Sequence, residues 1–406
     1  MNDIKKTVEE NLCISCGICA GICPQRCIEL DKINNQYIPY INNQKCISCG
    51  ICADICPVNQ IAEYDENSNT IINFLLGNYK DILYARTKDR KLLFESTSGG
   101  FITQMIRSLL EMGEYKSAFM VEGYNYDNQL QVKKFLYKDN LYKTTKSRYL
   151  TVSYENMIRY ILKHPTEKSI IVATGCCCQG IINVIRKRKL CRENYLLIGL
   201  FCDKTMNYGV VDFFRQHPSG KGHELTNLFF RTKVTGGWPG NVRLEYSDGA
   251  YTDLPNTERM KVKNYFMPER CLYCLDKLNR NSDISVGDNY IAGNKDNFGA
   301  NSIIIRTDSG MKIWNKCKEK FEYKRDDLEE FIESQHLLDK KTNYRNACIK
   351  GLYNGKTKKP DIVYKRAIRK IQIGKKDNVY KRVNRSIFRE KIRLKIKNIL
   401  VKLFHR

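Results

Sequence analysis

Residues 11–24 read NLCISCGICAGICP, and residues 44–57 read QKCISCGICADICP. Each copy has the form Cys-x-x-Cys-x-x-Cys-x-x-x-Cys-Pro. The first uses Cys13, Cys16, Cys19 and Cys23 before Pro24; the second uses Cys46, Cys49, Cys52 and Cys56 before Pro57. Three thiols separated by two residues can converge from one tight loop on three corners of a [4Fe–4S] cube, and the fourth has to arrive from elsewhere. A zinc site has no use for a third cysteine at that spacing followed by Cys-Pro.

Duplication supplies the missing corner. In two-cluster ferredoxins the fourth cysteine of each repeat serves the other cluster. That crossing places one cube on Cys13, Cys16, Cys19 and Cys56, and a second on Cys46, Cys49, Cys52 and Cys23. Gly17 and Gly50 let the backbone curl round each cube and turn N–H groups toward its sulfurs. Ile14, Ile18, Ile47 and Ile51 are expected to form a dry wall. Residues 5–62 resemble a bacterial two-cluster ferredoxin domain, which implies a small α+β unit over about 1–62. Cys27 falls outside the ladder and reads as a small buried side chain.

A ferredoxin unit accounts for a small part of 406 residues. A chain this long is expected to hold two or three units. No stretch approaches the ~18 apolar residues of a membrane span, and the charged start MNDIKKTVEE is not followed by an apolar signal region. A cytoplasmic location is expected, where thiols stay reduced. The 18 cysteines therefore read as metal ligands rather than disulfides. The net charge of +25 is uneven: residues 356–406 carry +16 and the preceding 355 residues only +9. Without a folded basic face or a known signature, nucleic-acid binding is not expected.

The region 75–355 reads as an α/β body with a largely parallel sheet. In STSGGFITQMIRSLLEM, apolar residues at Phe101, Ile102, Met105, Ile106, Leu109 and Leu110 predict a helix over 101–112. The turn Ser98, Gly99, Gly100 before it can offer N–H groups to a phosphate; the alternative is ordinary capping by Ser98 or Thr97. Residues 117–121 read as a strand. SIIVATGCCCQGIINVIRKRKL followed by NYLLIGLFC predicts strand 170–174, helix 180–189 and strand 195–201, a β-α-β unit. Cys178 follows one strand and Cys202 ends the next, at the edge where open α/β sheets place their sites. PERCLYC adds Cys271 and Cys274. These four thiols match the number a third cube needs. His217 and His223 flank the loop PSGKG and read as surface residues.

Several stretches resemble the coenzyme F420 hydrogenase/dehydrogenase beta-subunit family, in its ferredoxin-fused branch. They are STSGG, GCCCQG, LFFRTKVTGGWPGNVRLEYSDG, CLYCLDKLNRNSDISVGDNY with NFGANSIIIRT, and KSRYL at 146–150. The resemblance spans roughly 80–310. It implies an iron–sulfur flavoprotein oxidoreductase passing electrons between clusters and FAD or FMN, and on to a deazaflavin or another small-molecule acceptor. It also implies a flavin near Ser98–Gly100 and cluster ligands at Cys178, Cys202, Cys271 and Cys274. The implied partner is a redox protein or reduced ferredoxin. The family's usual Gly-Thr-Pro-Cys-Gln is here Gly175-Cys176-Cys177-Cys178-Gln179, so the ligand among three adjacent cysteines stays open. The Gly287-Asp288 pair resembles a branch associated with surface-polysaccharide gene clusters. The competing reading is a non-catalytic ferredoxin-type carrier or scaffold for a partner enzyme.

Residues 356–406 are expected to form a basic, helical tail. Phe388, Ile392, Ile396, Ile399 and Leu403 share one helical face, edged by Lys391, Lys395 and Lys402. Peripheral contact with anionic membranes is expected from this stripe, each basic residue adding about 1 kcal/mol near the bilayer. In liposome flotation the full chain should float with anionic vesicles, and a chain ending at 355 should not.

Overall fold

The computed structural model describes residues 4–58, 75–274 and 276–337. The expected unit boundaries near 62 and 355, the basic tail and Cys348 lie outside these residues. The two cysteine ladders fold alike. In each, a serine (Ser15, Ser48) and a glycine (Gly17, Gly50) take left-handed backbone, with φ between +54° and +72°. A short helix follows each: α1 (Ile18–Ile22) and α2 (Ile51–Asp54). Between the ladders runs an antiparallel hairpin of β1 (Ile28–Ile33) and β2 (Gln36–Ile41).

The body is built on nine strands. In chain order these begin with β3 (Asp81–Thr87), β4 (Ser117–Val121), β5 (Leu130–Phe135), β6 (Val152–Ser153), β7 (Ser169–Thr174) and β8 (Tyr195–Leu200). A separate three-stranded sheet follows, from β9 (Leu225–Thr232), β10 (Asn241–Tyr246) and β11 (Tyr251–Leu254). β12 (Ile284–Asp288), β13 (Asn301–Ile305) and β14 (Phe321–Arg325) then complete the main sheet, in the order β14-β3-β13-β12-β8-β7-β4-β5-β6.

The expectation of a largely parallel sheet is corrected. The neighbours β12, β8, β7 and β4 are parallel, but β13, β3 and β14 on one side, and β5 on the other, pair antiparallel. The reason lies in the connections. Parallel neighbours need a crossover of a dozen or more residues, usually a helix, whereas β4 reaches β5 through residues 122–129 alone. Strand 117–121 stands where its sequence predicts. Helix α3 (Phe101–Glu111) buries Phe101, Met105, Ile106, Leu109 and Leu110 against Trp314 and Phe321. Helix α4 (Glu155–Lys163) leads into β7. The helix expected at 180–189 is α5 (Gly175–Lys187). It starts five residues early, so the three adjacent cysteines lie in its first turn.

The ferredoxin-like unit is seated on the body through backbone-close contacts. Ile18, Ile22 and Ile55 share one apolar core with Ile158, Ile181 and Val184. The Tyr154 amide donates to the Cys16 carbonyl at 2.8 Å, Gln129 Nε2 donates to Ser15 O at 2.7 Å, and Asn183 Nδ2 to Ile55 O at 3.1 Å. Gly21 faces α4: a Cβ there would stand 2.7 Å from Ile158 Cβ and 2.8 Å from Glu155 O. Among the described residues no helix is long and apolar enough to cross a membrane. Gly21→Val is expected to cost about 1–3 kcal/mol by overpacking this seam. Calorimetry should show a lower Tm for it, and no change for Gly293→Ala, whose Cβ meets nothing within 4 Å.

Candidate functional site

The ladder cysteines gather as the repeat requires. Cys13, Cys16, Cys19 and Cys56 line one pocket with Ile14, Ile18, Ile55 and Val58. Cys23, Cys46, Cys49 and Cys52 line a second cavity of about 300 Å³. The Ser15 amide donates to Cys13 Sγ at 3.4 Å. Burial pushes the Cys13 thiol up to about 12, and Cys16 and Cys19 well above their ordinary value. An iron ligand must be a thiolate, so metal binding here displaces protons that burial holds in place. Cys27 is buried as expected, but its Sγ lies 3.4 Å from Cys23 Sγ and it lines the second cavity. The apolar wall is incomplete. Ile14 and Ile18 are buried, whereas Ile47 is 60% exposed and Cys49 is exposed beside it. No three His, Cys, Asp or Glu side chains among the described residues close on a single ion; a cube instead spreads its thiolates over separate iron corners.

A third thiol cluster stands between this unit and the body. Cys176, Cys177, Cys202, Cys271 and Cys274 line one cavity together with Ile14 and Tyr154. Cys202 follows β8, and its amide donates to Lys277 O at 2.8 Å. Thr205 Oγ1 lies 3.8 Å from Cys271 Sγ, and Cys274 Sγ reaches Asp276 O at 3.7 Å. Cys178 does not line this cavity. It is fully buried, and its Sγ donates to Ala173 O at 3.8 Å. Its neighbour Cys177 draws the Cys176 thiol below its ordinary value.

The third cavity shares a wall with a larger one of about 350 Å³. Leu150, Val152, Tyr154, Thr174, Cys202 and Thr205 border both. The larger cavity lies at the carboxyl ends of β7, β8 and β12, where open sheets hold ligands. Lys146, Ser147, Arg148, Tyr149 and Leu150, the KSRYL segment, all line it. So do Lys204, Arg231, Arg259 and Lys263, against only two carboxylates, Asp203 and Asp288. Both carboxylates are engaged: Asp203 by Lys204 and Lys263, and Asp288 by Arg231 at 2.6 Å. Burial works against the Asp288 charge, but the Arg231 guanidinium outweighs it and holds the carboxyl below its usual range. Burial, with Lys146 and Arg231 nearby, brings Lys233 down to about 7; it donates to Leu93 O and Ser98 O. Two buried polar atoms on the cavity wall, Ser96 Oγ and Arg259 Nε, have no hydrogen-bond partner among the described residues.

The turn before α3 is tighter than an open phosphate loop. Ser98 and Gly100 line the cavity and Gly99 does not. Ser98 Oγ donates to Ala300 O at 2.6 Å. Asn301 Oδ1 accepts the Phe101 amide at 3.2 Å. A Cβ on Gly99 would stand 2.7 Å from Asn301 Oδ1 and 2.8 Å from Ala85 O. Gly100, at φ +72°, caps α3 without a side-chain bond. Thr97 instead accepts the Ser147 amide at 2.9 Å. His217 and His223 pair with Ser219 and Asp248 at the surface.

Residues 166–330 match the family described as the C terminus of the coenzyme F420 hydrogenase/dehydrogenase beta subunit, and residues 12–60 match the 4Fe-4S dicluster domain. The body is thus similar, over residues 166–330, to the C terminus of that beta subunit, and it follows a segment similar to a 4Fe–4S dicluster domain. The chain is 24% identical over 271 residues to the coenzyme F420 hydrogenase subunit beta of Methanothermobacter thermautotrophicus, covering 66% of this chain and 91% of that one. It is 24% identical over 330 residues to the coenzyme F420-dependent sulfite reductase of Methanocaldococcus jannaschii, covering 77% of this chain but 47% of that longer protein. A chain of the F420-reducing [NiFe] hydrogenase complex from Methanosarcina barkeri shares the fold, with a TM-score of 0.50 and 20% identity over 67% of this chain and 93% of that one. On the wall of the larger cavity Arg231 and Asp288 form a buried ion pair. Arg231→Ala leaves Asp288 buried and unpaired, an expected cost of about 3–5 kcal/mol. Denaturant titration checks this, with the double variant Arg231→Met/Asp288→Asn losing less.

Proposed function

We propose that the chain is an iron–sulfur flavoprotein oxidoreductase that relays electrons between [4Fe–4S] clusters and a flavin, and on to a deazaflavin or another organic acceptor. One observation carries the reading: the first ladder, the third thiol cluster and the 350 Å³ cavity stand in one row, each sharing residues with the next. Ile14 joins the first pair, and Cys202 and Thr205 the second. In this reading Cys13, Cys16, Cys19 and Cys56 hold one cube, and Cys46, Cys49, Cys52 and Cys23 another. Cys202, Cys271 and Cys274 hold a third, with one thiol from the start of α5.

The larger cavity suits FAD or FMN. Its volume is in the range of small-molecule sites, its surplus of cations suits a phosphate, and Ser96 Oγ and Arg259 Nε offer buried polar atoms still in need of a partner. A flavin bound there would supply the exchange between one-electron carriers and a two-electron acceptor. The chain's own part is to neutralise phosphate with Lys146 and Arg259, to exclude water with Tyr154, Leu200 and Phe201, and to keep the thiol wall at Cys202 against the cavity. The exposed Cys49 and Ile47 make the second ladder the face for a redox protein or reduced ferredoxin. F420 as acceptor rests on the names of the relatives, and a polysaccharide context rests on sequence resemblance alone.

Anaerobically purified and reconstituted protein should carry ~12 iron atoms, where two cubes need ~8, and about one flavin. Gly99 is a poor test position because a side chain there would strike β3 and Asn301. Arg259→Met is the better variant: flavin affinity should fall about tenfold, equivalent to about 1.4 kcal/mol, with iron content unchanged. Folded protein with full iron that takes up no flavin would instead favour the electron-carrier reading.

A further inference from the structure

Helix α5 opens with three thiols in a row, and a helix cannot turn all three to one place. Side chains two residues apart lie about 200° apart around the axis. Cys176 and Cys178 therefore serve different surroundings. Thr174 Oγ1 lies 3.5 Å from Cys176 Sγ, and Cys176 is half-buried on the cavity that also takes Cys202, Cys271 and Cys274. Cys176 thus shares one cavity wall with Cys202 and Cys271, whereas Cys178 does not reach it. Cys178 turns back under the sheet to Ala173 O. Asn279 Nδ2 donates to the same carbonyl at 2.8 Å, which closes that side.

Gly175 makes this approach close enough. A Cβ on it would stand 2.5 Å from Asp276 Oδ2 and 3.3 Å from Asp276 O. The loop that carries Cys271 and Cys274 thus comes down directly on the first turn of α5, next to Cys176. Cys177 is more deeply buried, in the apolar core that also holds Cys16 and Ile181.

We infer that Cys176 is the fourth thiolate of the third iron–sulfur site, with Cys202, Cys271 and Cys274, and that Cys178 is a packing residue. The ligand thus stands two residues earlier in the chain than the cysteine of the usual Gly-Thr-Pro-Cys-Gln pattern. This inference rests on the proposed third cluster, and the experiment separates the two. Full-length chains with Cys176→Ala, Cys177→Ala, Cys178→Ala and Cys271→Ala are reconstituted anaerobically. Iron and sulfide are counted, and dithionite-reduced samples are examined by electron paramagnetic resonance.

Cys176→Ala is expected to lose about four irons and one cluster signal, as Cys271→Ala does, while Cys178→Ala keeps both and loses only thermal stability. If Cys177 moves in to replace Cys176, the signal of Cys176→Ala changes shape with iron retained. The double variant Cys176→Ala/Cys177→Ala then loses the cluster, which also supports the assignment. An unchanged signal in Cys176→Ala, or loss of the cluster in Cys178→Ala, overturns it. If Cys271→Ala keeps every iron, the third cluster itself falls, and the assignment with it.

Discussion

The structure depends on a close approach of two backbones at the seam between the ferredoxin-like unit and the body. Gly21 lies against Glu155 O and Ile158, and Gly180 against Ile18 and Pro57. A side chain at Gly21 would strike the Glu155 carbonyl and push the two halves apart, and one at Gly180 would displace the tip of Ile18. With both bare, α1 sits down on α4 and α5, and the Tyr154 amide reaches the Cys16 carbonyl. The seam therefore sets how far the first ladder stands from the third thiol cluster. In the proposed relay, where electron exchange falls steeply with separation, this packing contact sets the distance to be crossed.

Burial and charge divide the molecule into two kinds of site. Around the first ladder, burial raises the Cys13, Cys16 and Cys19 thiols, and metal binding is what would hold them as thiolates. The larger cavity works the other way: six cationic side chains face it against two carboxylates that are already paired. The border between the two is narrow and passes through Cys202, Thr174 and Tyr154. Asp288 and Arg231 keep the cationic side rigid, because neither could stay buried without the other.

Much of this was legible in the sequence for particular reasons. The ladder is a local spacing rule, and its duplication dictated the crossed gathering of Cys23 and Cys56 before any fold was known. Strand 117–121 and the unit from β7 to β8 were plain in their apolar runs. The sheet's mixed direction was not, because strand direction depends on whether a connection crosses over, and residues 122–129 carry no periodicity that says so. Ile47 reads like Ile14 in the repeat, yet one faces solvent and the other the seam. The repeat is symmetric, whereas its surroundings are not. Arg259 lies in none of the motif stretches, and Arg231, although inside LFFRTKVTGG, carried no chemistry of its own there; the KSRYL segment was the clearest hint of the wall they complete.

The sequence by itself determined the chemistry available: thiols in cube-forming number and order, small residues before α3 and α5, and a basic terminal segment. Those follow from spacing along the chain, which the sequence states directly. Tertiary structure alone decided which thiols meet. Cys176 and Cys178 are equivalent in composition and two residues apart, but the helix begins at Gly175 rather than Gly180, and that rotation sends one to the Cys271–Cys274 loop and the other into the core. A helix start is set by what packs against it, here Asp276 on Gly175, and that contact joins residues a hundred positions apart.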